Sequence, residues 1–576
     1  SIAEFFEKNR HLLGFDNPRK ALLTTVKEAV DNALDACEEA RIIPEINIEL
    51  IQLEETRFRV VIEDNGPGIV KKQLPKIFAK LLYGSKFHKL SQTRGQQGIG
   101  ISAAVLYGQL TSGKPATIKS KIASSSKADM IKLKIDTKTN DPVVSEEKEF
   151  DWIGKEHGIR IEIDMEASYM KGRQSVDEYL RETAIVNPHC TLIYTNPEAK
   201  QFIFSRATND LPPEAKEIKP HPYGVELGRL IKMLELTAAK TLKEFLMTEF
   251  SKVGDGTAKE ICENSALLLS TEPKNVTREM AEQLYKGILK TKILAPPTDC
   301  LSPIGQELLE KSLKKEINAE FYCAVTRPIF VYRGNPFQIE VGMAYGGTQP
   351  KDELATVLRF ANKVPLLYQQ GACALTKAVQ TTAWKPYGLQ QSQGALPTGP
   401  ITILLHIASV WVPFTSESKE ALAHYPEIIK EIKLALQDTG RKLQAYVHKK
   451  QKAQGQLERA NLFERYIPEV ADALANLTGA DKHLLTEKLQ EMVQKEAIVQ
   501  KVKRENHIKA TPENVVVTCG SQEAMMLATA STLDVSQQII VPNPGFMGYV
   551  PLFELFDVNP VGVILQEENA FEVQPD

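Results

Sequence analysis

At 576 residues the chain is too long for one hydrophobic core, and about three or four domains is the natural expectation. A net charge of −3 with 25 % charged residues excludes a chain that is basic throughout, so any contact with nucleic acid has to be local. Seven cysteines, at 37, 190, 262, 300, 323, 373 and 519, form no CxxC pair and no metal spacing, which argues against a disulfide scaffold and predicts reduced, mostly buried cytoplasmic thiols.

No apolar run approaches the roughly 20 residues of a membrane span, and no secretory signal opens the chain, so no membrane partner is expected. The chain starts at Ser1 without a methionine, as a trimmed N-terminus would. Residues 1–25 read as a short apolar and charged arm and a turn, able to pack on their own domain or to cross to a partner. The stretch VKEAVDNALDACEEA, 26–40, predicts a helix, because Val26, Ala29, Val30, Ala33 and Leu34 recur at spacings of three and four. Glu28 and Asn32 share one of its faces, and Asp31 and Asp35 form a neighbouring row. A carboxylate one turn from an amide oxygen suits a water activator beside a Mg2+ ligand; a solvated acidic face is the bland alternative.

Alternating strands are predicted at INIEL, RFRVVIE, MIKLKID, GIRIEID, TLIYT and QFIFS, with helices at 21–40, 71–82 and 98–110, giving one helix-covered sheet that ends near Pro212 and Pro213. DNGPGIV (64–70) follows the second strand, and TRGQQGIG (93–100) runs into the apolar stretch ISAAVLYGQL. Glycines ahead of a helix let backbone approach phosphates, and the helix N-terminus supplies amide donors. Helical Glu/Asn, then Asp-x-Gly-x-Gly, then a Gly-rich loop entering a helix resembles the Bergerat ATP-binding fold of gyrase, the ninety-kilodalton heat-shock chaperone, histidine kinases and MutL.

That resemblance implies ATP and Mg2+ as ligands of a 1–217 ATPase domain. Glu28 would polarise the attacking water and Asn32 would coordinate the Mg2+. Asp64 would accept the adenine amino hydrogen, with Gly66 and Gly68 clearing space beside the base. A lid from Gly84 to Gly100 would close over ATP, with Ser85 and Lys86 near the nucleotide. The backbone of Gly95, Gln96, Gln97, Gly98, Ile99, Gly100, Ile101 and Ser102 would hold phosphates. Ile159 stands where many members of that superfamily place a threonine that contacts the adenine-site water.

Residues 218–305 turn helical: PHPYGVE reads as a hinge, and Gly254-Asp255-Gly256 as a turn of either a helix–two-turns–helix module or a plain helix hairpin. From 306 strands and helices alternate again, and RFANKVPLLY (359–368) and WKPYG (384–388) resemble motifs of the B-subunit family of archaeal-type DNA topoisomerase VI, a likeness covering about residues 1–505. It implies an α+β multidomain chain: Bergerat ATPase sandwich, helical insertion, transducer α/β domain (306–462) with a long C-terminal helix, and a helical segment (463–508) that docks the A subunit. The long helix is expected to start near Ser418 with Ser416 or Ser418 as N-cap, putting Lys419 in its first turn, where it aligns with the family's transducer lysine and would bind the ATP γ-phosphate. Pro468 is expected to open a new helix. A basic stripe, Arg441, Lys442, Lys449, Lys450 and Lys452, reads as a solvated helix face or a sequence-blind guide for double-stranded DNA.

The tail differs. NVVVTCGSQEAMMLATASTL (514–533) and IIVPNPGFMGYVPLFELF (539–556) resemble a pyridoxal-phosphate aminotransferase, with Gly520-Ser521-Gln522 as the phosphate-cradling turn. The chain stops at Asp576, before that family's lysine, so residues 509–576 are expected to be a fused fragment without its sheet partners and without that chemistry. For the main body, an ATP-driven clamp that gates DNA passage competes with a signalling kinase or chaperone. His11 lies on too short an arm for a phosphoacceptor, and none of the 16 tyrosines sits in an evident acidic metal cluster, so DNA cleavage is assigned to a separate A subunit. The family resemblance implies self-dimerisation on ATP binding, assembly of two A with two B subunits, and cytoplasmic, nucleoid-associated work.

Overall fold

The computed structural model describes residues 1–84, 90–95, 98–416, 418–518, 521–543 and 549–564. The chain divides into two compact units, Ser1–His448 and Lys449–Asp576. No described helix is long and apolar enough to cross a membrane.

The first unit opens with helix α1 (Ile2–Lys8), capped by the Ser1 hydroxyl, and a 3-10 turn. Helix α2 (Pro18–Glu39) starts where a helix should: the Asn17 side chain accepts from the Lys20 amide, and Pro18 occupies the first position. Strands β1 (Glu45–Glu54), β2 (Arg57–Asp64), β3 (Ala116–Lys121), β4 (Ala128–Asp136), β5 (Asp141–Phe150), β6 (Gly158–Glu166), β7 (Thr191–Thr195) and β8 (Gln201–Phe204) form a sheet in the order β5-β4-β3-β6-β2-β1-β7-β8. Its neighbours pair antiparallel except β1 with β7. Helices α3 (Leu74–Ala79), α4 (Gly100–Ser112) and α5 (Val176–Val186) join α2 over this sheet, and Val26, Val30, Ile48, Ile62, Ala104 and Tyr179 share one core.

All six predicted strands are present; β3, β5 and α5 are additions. Strand β5 lies at the sheet edge, mostly exposed and rich in acids, so it carries no apolar alternation to read. It is held instead by its ladder to β4 and by ion pairs such as Lys71–Glu147 (2.8 Å) and Lys132–Glu146 (2.6 Å).

Residues 218–305 contain α6 (Leu227–Leu236), α7 (Leu242–Glu249), α8 (Asp255–Ser265) and α9 (Arg278–Lys290) around a core of their own that includes Leu234, Phe245, Ile261 and Leu284. Gly254 caps α8, so Asp255 and Gly256 belong to its first turn rather than to a loop. Helix α10 (Gln306–Glu316) leads into the second sheet, built from β9 (Phe321–Thr326), β10 (Phe330–Tyr332), β11 (Asn335–Tyr345), β12 (Thr356–Ala361), β13 (Val364–Pro365) and, after helix α11 (Ala374–Thr381) and the small pair β14 (Gln390–Gln391) and β15 (Pro397–Thr398), β16 (Ile401–Ser409). The order is β10-β11-β16-β12-β13, with β9 also on β11; every residue of the central strand β16 is buried.

Helix α12 runs from Pro426 to Thr478. Two expectations are corrected here. The helix starts at Pro426, not near Ser418, because proline suits the first helical turn and residues 413–415 pair with 421–423 in a turn instead. It also passes through Pro468 without ending there. Ile428, Ile432, Leu436 and Leu443 of α12 pack on the second sheet's core. The WKPYG motif is part of the same packing: Trp384 is fully buried, its Nε1 donates to the Val379 carbonyl (2.8 Å), and Tyr387 lies against Gly440.

In the second unit α12 continues to Thr478, followed by α13 (Lys482–Glu505), α14 (Ser521–Thr532), β17 (Gln538–Asn543), α15 (Tyr549–Leu555) and β18 (Asn559–Ile564). Among the described residues its sheet has two parallel strands, and its apolar cluster has Val541, Phe553 and Val558 as buried members, while Ile540, Leu555 and Ile564 are exposed. Ser521 begins α14; Gly520 and the Gln522 side chain lie outside the described residues.

Candidate nucleotide site

Helix α2 sorts its polar residues by face. Glu28 and Asn32 line a cavity of about 630 Å3. Asp31 is turned into the core, where it accepts from the Tyr179 hydroxyl (3.0 Å) and burial pushes its carboxyl up to about 7. Asp35 pairs with Arg94 (2.9 Å) and accepts from the Gly95 amide (3.3 Å). Asp35 is therefore scaffold for the loop that faces Glu28, while Asp31 ties α2 to α5.

At one end of the cavity lies Asp64, 6 % exposed. Its Oδ1 accepts from the amides of Gly66 (2.8 Å) and Ile159 (3.2 Å), which leaves Oδ2 for a ligand donor. Burial pushes the Asp64 carboxyl up to about 6, against the pull of those two amides. Ile159 thus serves Asp64 through its backbone N–H, which any residue type but proline could supply. A Cβ on Gly68 (φ +73°) would lie 2.0 Å from the Lys121 carbonyl oxygen, and one on Gly66 would lie 2.9 Å from Asp64's own carboxylate. Both glycines thus allow close approach within the chain, and of the two only Gly68 lines the cavity.

The other end is the start of α4. Gly95, Gly98, Ile99, Gly100 and Ile101 line the cavity, and among the described residues no side-chain N-cap bonds the start of α4. Glu28 is pressed against this end: a Cβ on Gly100 would fall 1.7 Å from Glu28 Oε2. Asn32 Oδ1 is 3.5 Å from the corresponding point on Gly95. Ser102 is buried outside the lining, its hydroxyl donating to the Ile99 carbonyl (2.9 Å). Ser85, Lys86, Gln96 and Gln97 lie outside the described residues.

Lys419 reaches the same cavity from the second sheet's side. It is not in a helix: it sits at φ +52° on a turn whose arms pair through Phe414 and Leu422, and its Nζ donates to the Arg94 carbonyl (3.0 Å). Beside it, Glu420 is buried and paired with Lys20 of α2 (2.5 Å).

The residue the sequence does not single out is Arg94. Fully enclosed, it donates to Asp35 (2.9 Å), Glu38 (2.6 Å) and Asn187 (2.5 Å), while His189 also bonds Glu38 (2.7 Å). Burial would raise the Glu38 carboxyl, but Arg94, Lys363 and His189 outweigh it and hold it well below the carboxylate range. A charged residue inside the Gly-rich loop, matched to acids on α2, is the one signal that could have marked it.

Residues 21–156 match the family model of histidine kinase-, DNA gyrase B- and HSP90-like ATPases, and residues 296–459 match that of the topoisomerase VI B subunit transducer. The B subunit of type 2 DNA topoisomerase 6 from Methanococcoides burtonii is 52 % identical over 482 residues, 84 % of this chain and 77 % of its own. The chain belongs to the family of type 2 DNA topoisomerase 6 B subunits. The corresponding B subunit of Archaeoglobus fulgidus is 50 % identical over 478 residues, covering 83 % of this chain and 79 % of its own. Among solved structures, the B subunit of Myxococcus xanthus DNA gyrase aligns over 77 % of this chain and 95 % of its own at 11 % identity and a TM-score of 0.38, a likeness too slight to add to the family match. Residues 452–576 match the class I and II aminotransferase model, which begins well before the predicted boundary at 509.

Proposed function

We infer that this chain of the B family binds and hydrolyses ATP and uses the cycle to gate double-strand passage by a type 2 DNA topoisomerase, with DNA cleavage left to a separate A subunit. The observation that carries it is one cavity in which Glu28 and Asn32 of α2, Asp64, the Gly-rich loop and Lys419 of the transducer meet. Asp64 receives the adenine amine at one end. At the other, the backbone from Gly95 into α4 receives the phosphates. Glu28, beside the start of α4, takes a proton from the attacking water. Lys419 places a cation from the transducer beside that loop, so loss of the γ-phosphate loosens the transducer from the ATPase domain.

The donors suit Mg2+. Asn32 offers a hard oxygen, and Mg2+ is commonly held by one or two protein oxygens with water and phosphates completing the octahedron. Bound there, the ion would neutralise phosphate charge; the chain's own part is to orient Asn32 and keep Glu28 on the water side.

The same reading takes the chain as self-dimerising on ATP through its N-terminal arm, assembling with two A subunits and working on double-stranded DNA at the nucleoid. Its basic stripe contributes less to DNA than its composition suggests, since Arg441 pairs with Asp438 and Lys442 donates to the Ala324 carbonyl (2.8 Å). The kinase and chaperone readings have no support from the transducer match. Glu28→Ala tests the chemistry: hydrolysis should fall by about 10²–10⁴-fold while ATP affinity holds, because the adenine and phosphate contacts lie elsewhere. ATP turnover at the parent rate would remove Glu28 from the mechanism.

A further inference from the structure

The turn joining β12 to β13 consists of Asn362 and Lys363, and both have left-handed backbone, φ +48° and +65°. A two-residue hairpin turn of this kind accepts asparagine first but ordinarily wants glycine second, so lysine there is a strained choice. The turn is also buried: Asn362 is 5 % and Lys363 3 % exposed, against the rule that turns run over the surface. Something other than the hairpin itself holds it.

Its contacts show what. Asn362 Nδ2 donates to the Thr93 carbonyl (3.2 Å) and to the Ser409 carbonyl (2.9 Å), while its Oδ1 accepts from the Ser409 amide (2.9 Å). The Lys363 amide donates to His406 Nε2 (2.9 Å), its carbonyl accepts from Asn187 (3.4 Å), and its Nζ donates to Ser302 (3.2 Å). Thr93 immediately precedes Arg94, whose carbonyl is the acceptor for Lys419. Two consecutive carbonyls of the Gly-rich loop are thus held by two separate parts of the second sheet's domain. Ser409 is the last residue of β16, so Asn362 ties the loop to the end of the central strand.

We propose that Asn362 is a positioning residue for ATP: its carboxamide fixes the Thr93 carbonyl to the end of β16 and so sets where Gly95, and the backbone from Gly98 into α4, meet the phosphates. This rests on the ATP reading of the cavity. Asn362 touches no reacting atom; it acts through the loop, and through Ser409 it gives the transducer's central strand a direct hold on the loop's position.

The test is steady-state ATP hydrolysis by the full chain carrying Asn362→Gly or Asn362→Asp, with thermal melting of each. Glycine keeps the left-handed turn and removes the side chain with all three of its hydrogen bonds; aspartate keeps the shape and the acceptor for the Ser409 amide but loses the donor to the Thr93 and Ser409 carbonyls. Loss of the hold on Thr93 should raise KM for ATP by about 2–10-fold in both, with kcat changed less. A merely structural residue would lower Tm and the active fraction, hence apparent kcat, and leave KM at the parent value; that pattern overturns the proposal. If Asn362→Gly fails to fold, KM of Asn362→Asp decides alone. A parent chain that hydrolyses no ATP would sink the ATP reading and this inference together, whereas an active parent with an unchanged KM in the variants sinks this inference only.

Discussion

Asp64 shows how one buried side chain can make function depend on pH. In the role proposed for it, Asp64 must be ionised to accept the adenine amine, yet burial lifts its carboxyl to about 6. ATP affinity should therefore weaken as pH falls from 7.5 to 5.5, and Asp64→Asn should bind weakly and lose that dependence; calorimetric titration at both pH values checks it. The folding contribution has the opposite sign. A carboxyl raised in the folded state contributes stability that is complete below its ordinary value near 4 and is lost as pH rises through about 6. Weaker binding at pH 5.5 thus cannot be blamed on unfolding linked to Asp64. At this scale the sequence is informative wherever a residue type and its spacing imply a chemistry, as for Glu28, Asn32 and Asp64. It marks Arg94 only as a charge inside the Gly-rich loop and is silent on the contacts of Asn362 and Lys363, because their partners lie tens to hundreds of residues away and no local period encodes a tertiary hydrogen bond.

Among the elements, α2 and α4 make the site by approaching each other closely, and Gly100 is the point of approach. Its backbone has no positive φ, so alanine fits this first helical position without backbone strain. The added Cβ would nonetheless displace the Glu28 carboxylate. With Glu28 in its proposed role, Gly100→Ala is expected to leave Tm nearly unchanged while cutting kcat by roughly 10²-fold, the usual cost of moving a catalytic group by about 1 Å. Melting curves beside turnover measurements separate the two effects, and an unchanged kcat would mean that Glu28 does not work from this position. Elements with a strong apolar period, such as α2, β2 and β6, are legible from sequence. The exposed edge strand β5 is not, and the turn carrying Lys419 misleads: serines and an acid before an apolar stretch imitate an N-cap, while Pro426 and the pairing of 413–415 with 421–423 decide where the helix begins.

For the whole molecule, residues 1–448 form one compact unit containing the cavity, the helical insertion and the transducer sheet. Residues 452–576 carry the aminotransferase-like match, and among the described residues there the sheet has two parallel strands beside a small apolar cluster. The central claim is that ATP turnover in the cavity drives DNA passage by a separate cleaving subunit. Relaxation of supercoiled plasmid by the full chain mixed with a cognate A subunit tests this most directly. Relaxation should need both subunits and ATP, and should be lost with Glu28→Ala. Relaxation that proceeds without ATP, or at the parent rate in Glu28→Ala, would contradict that claim.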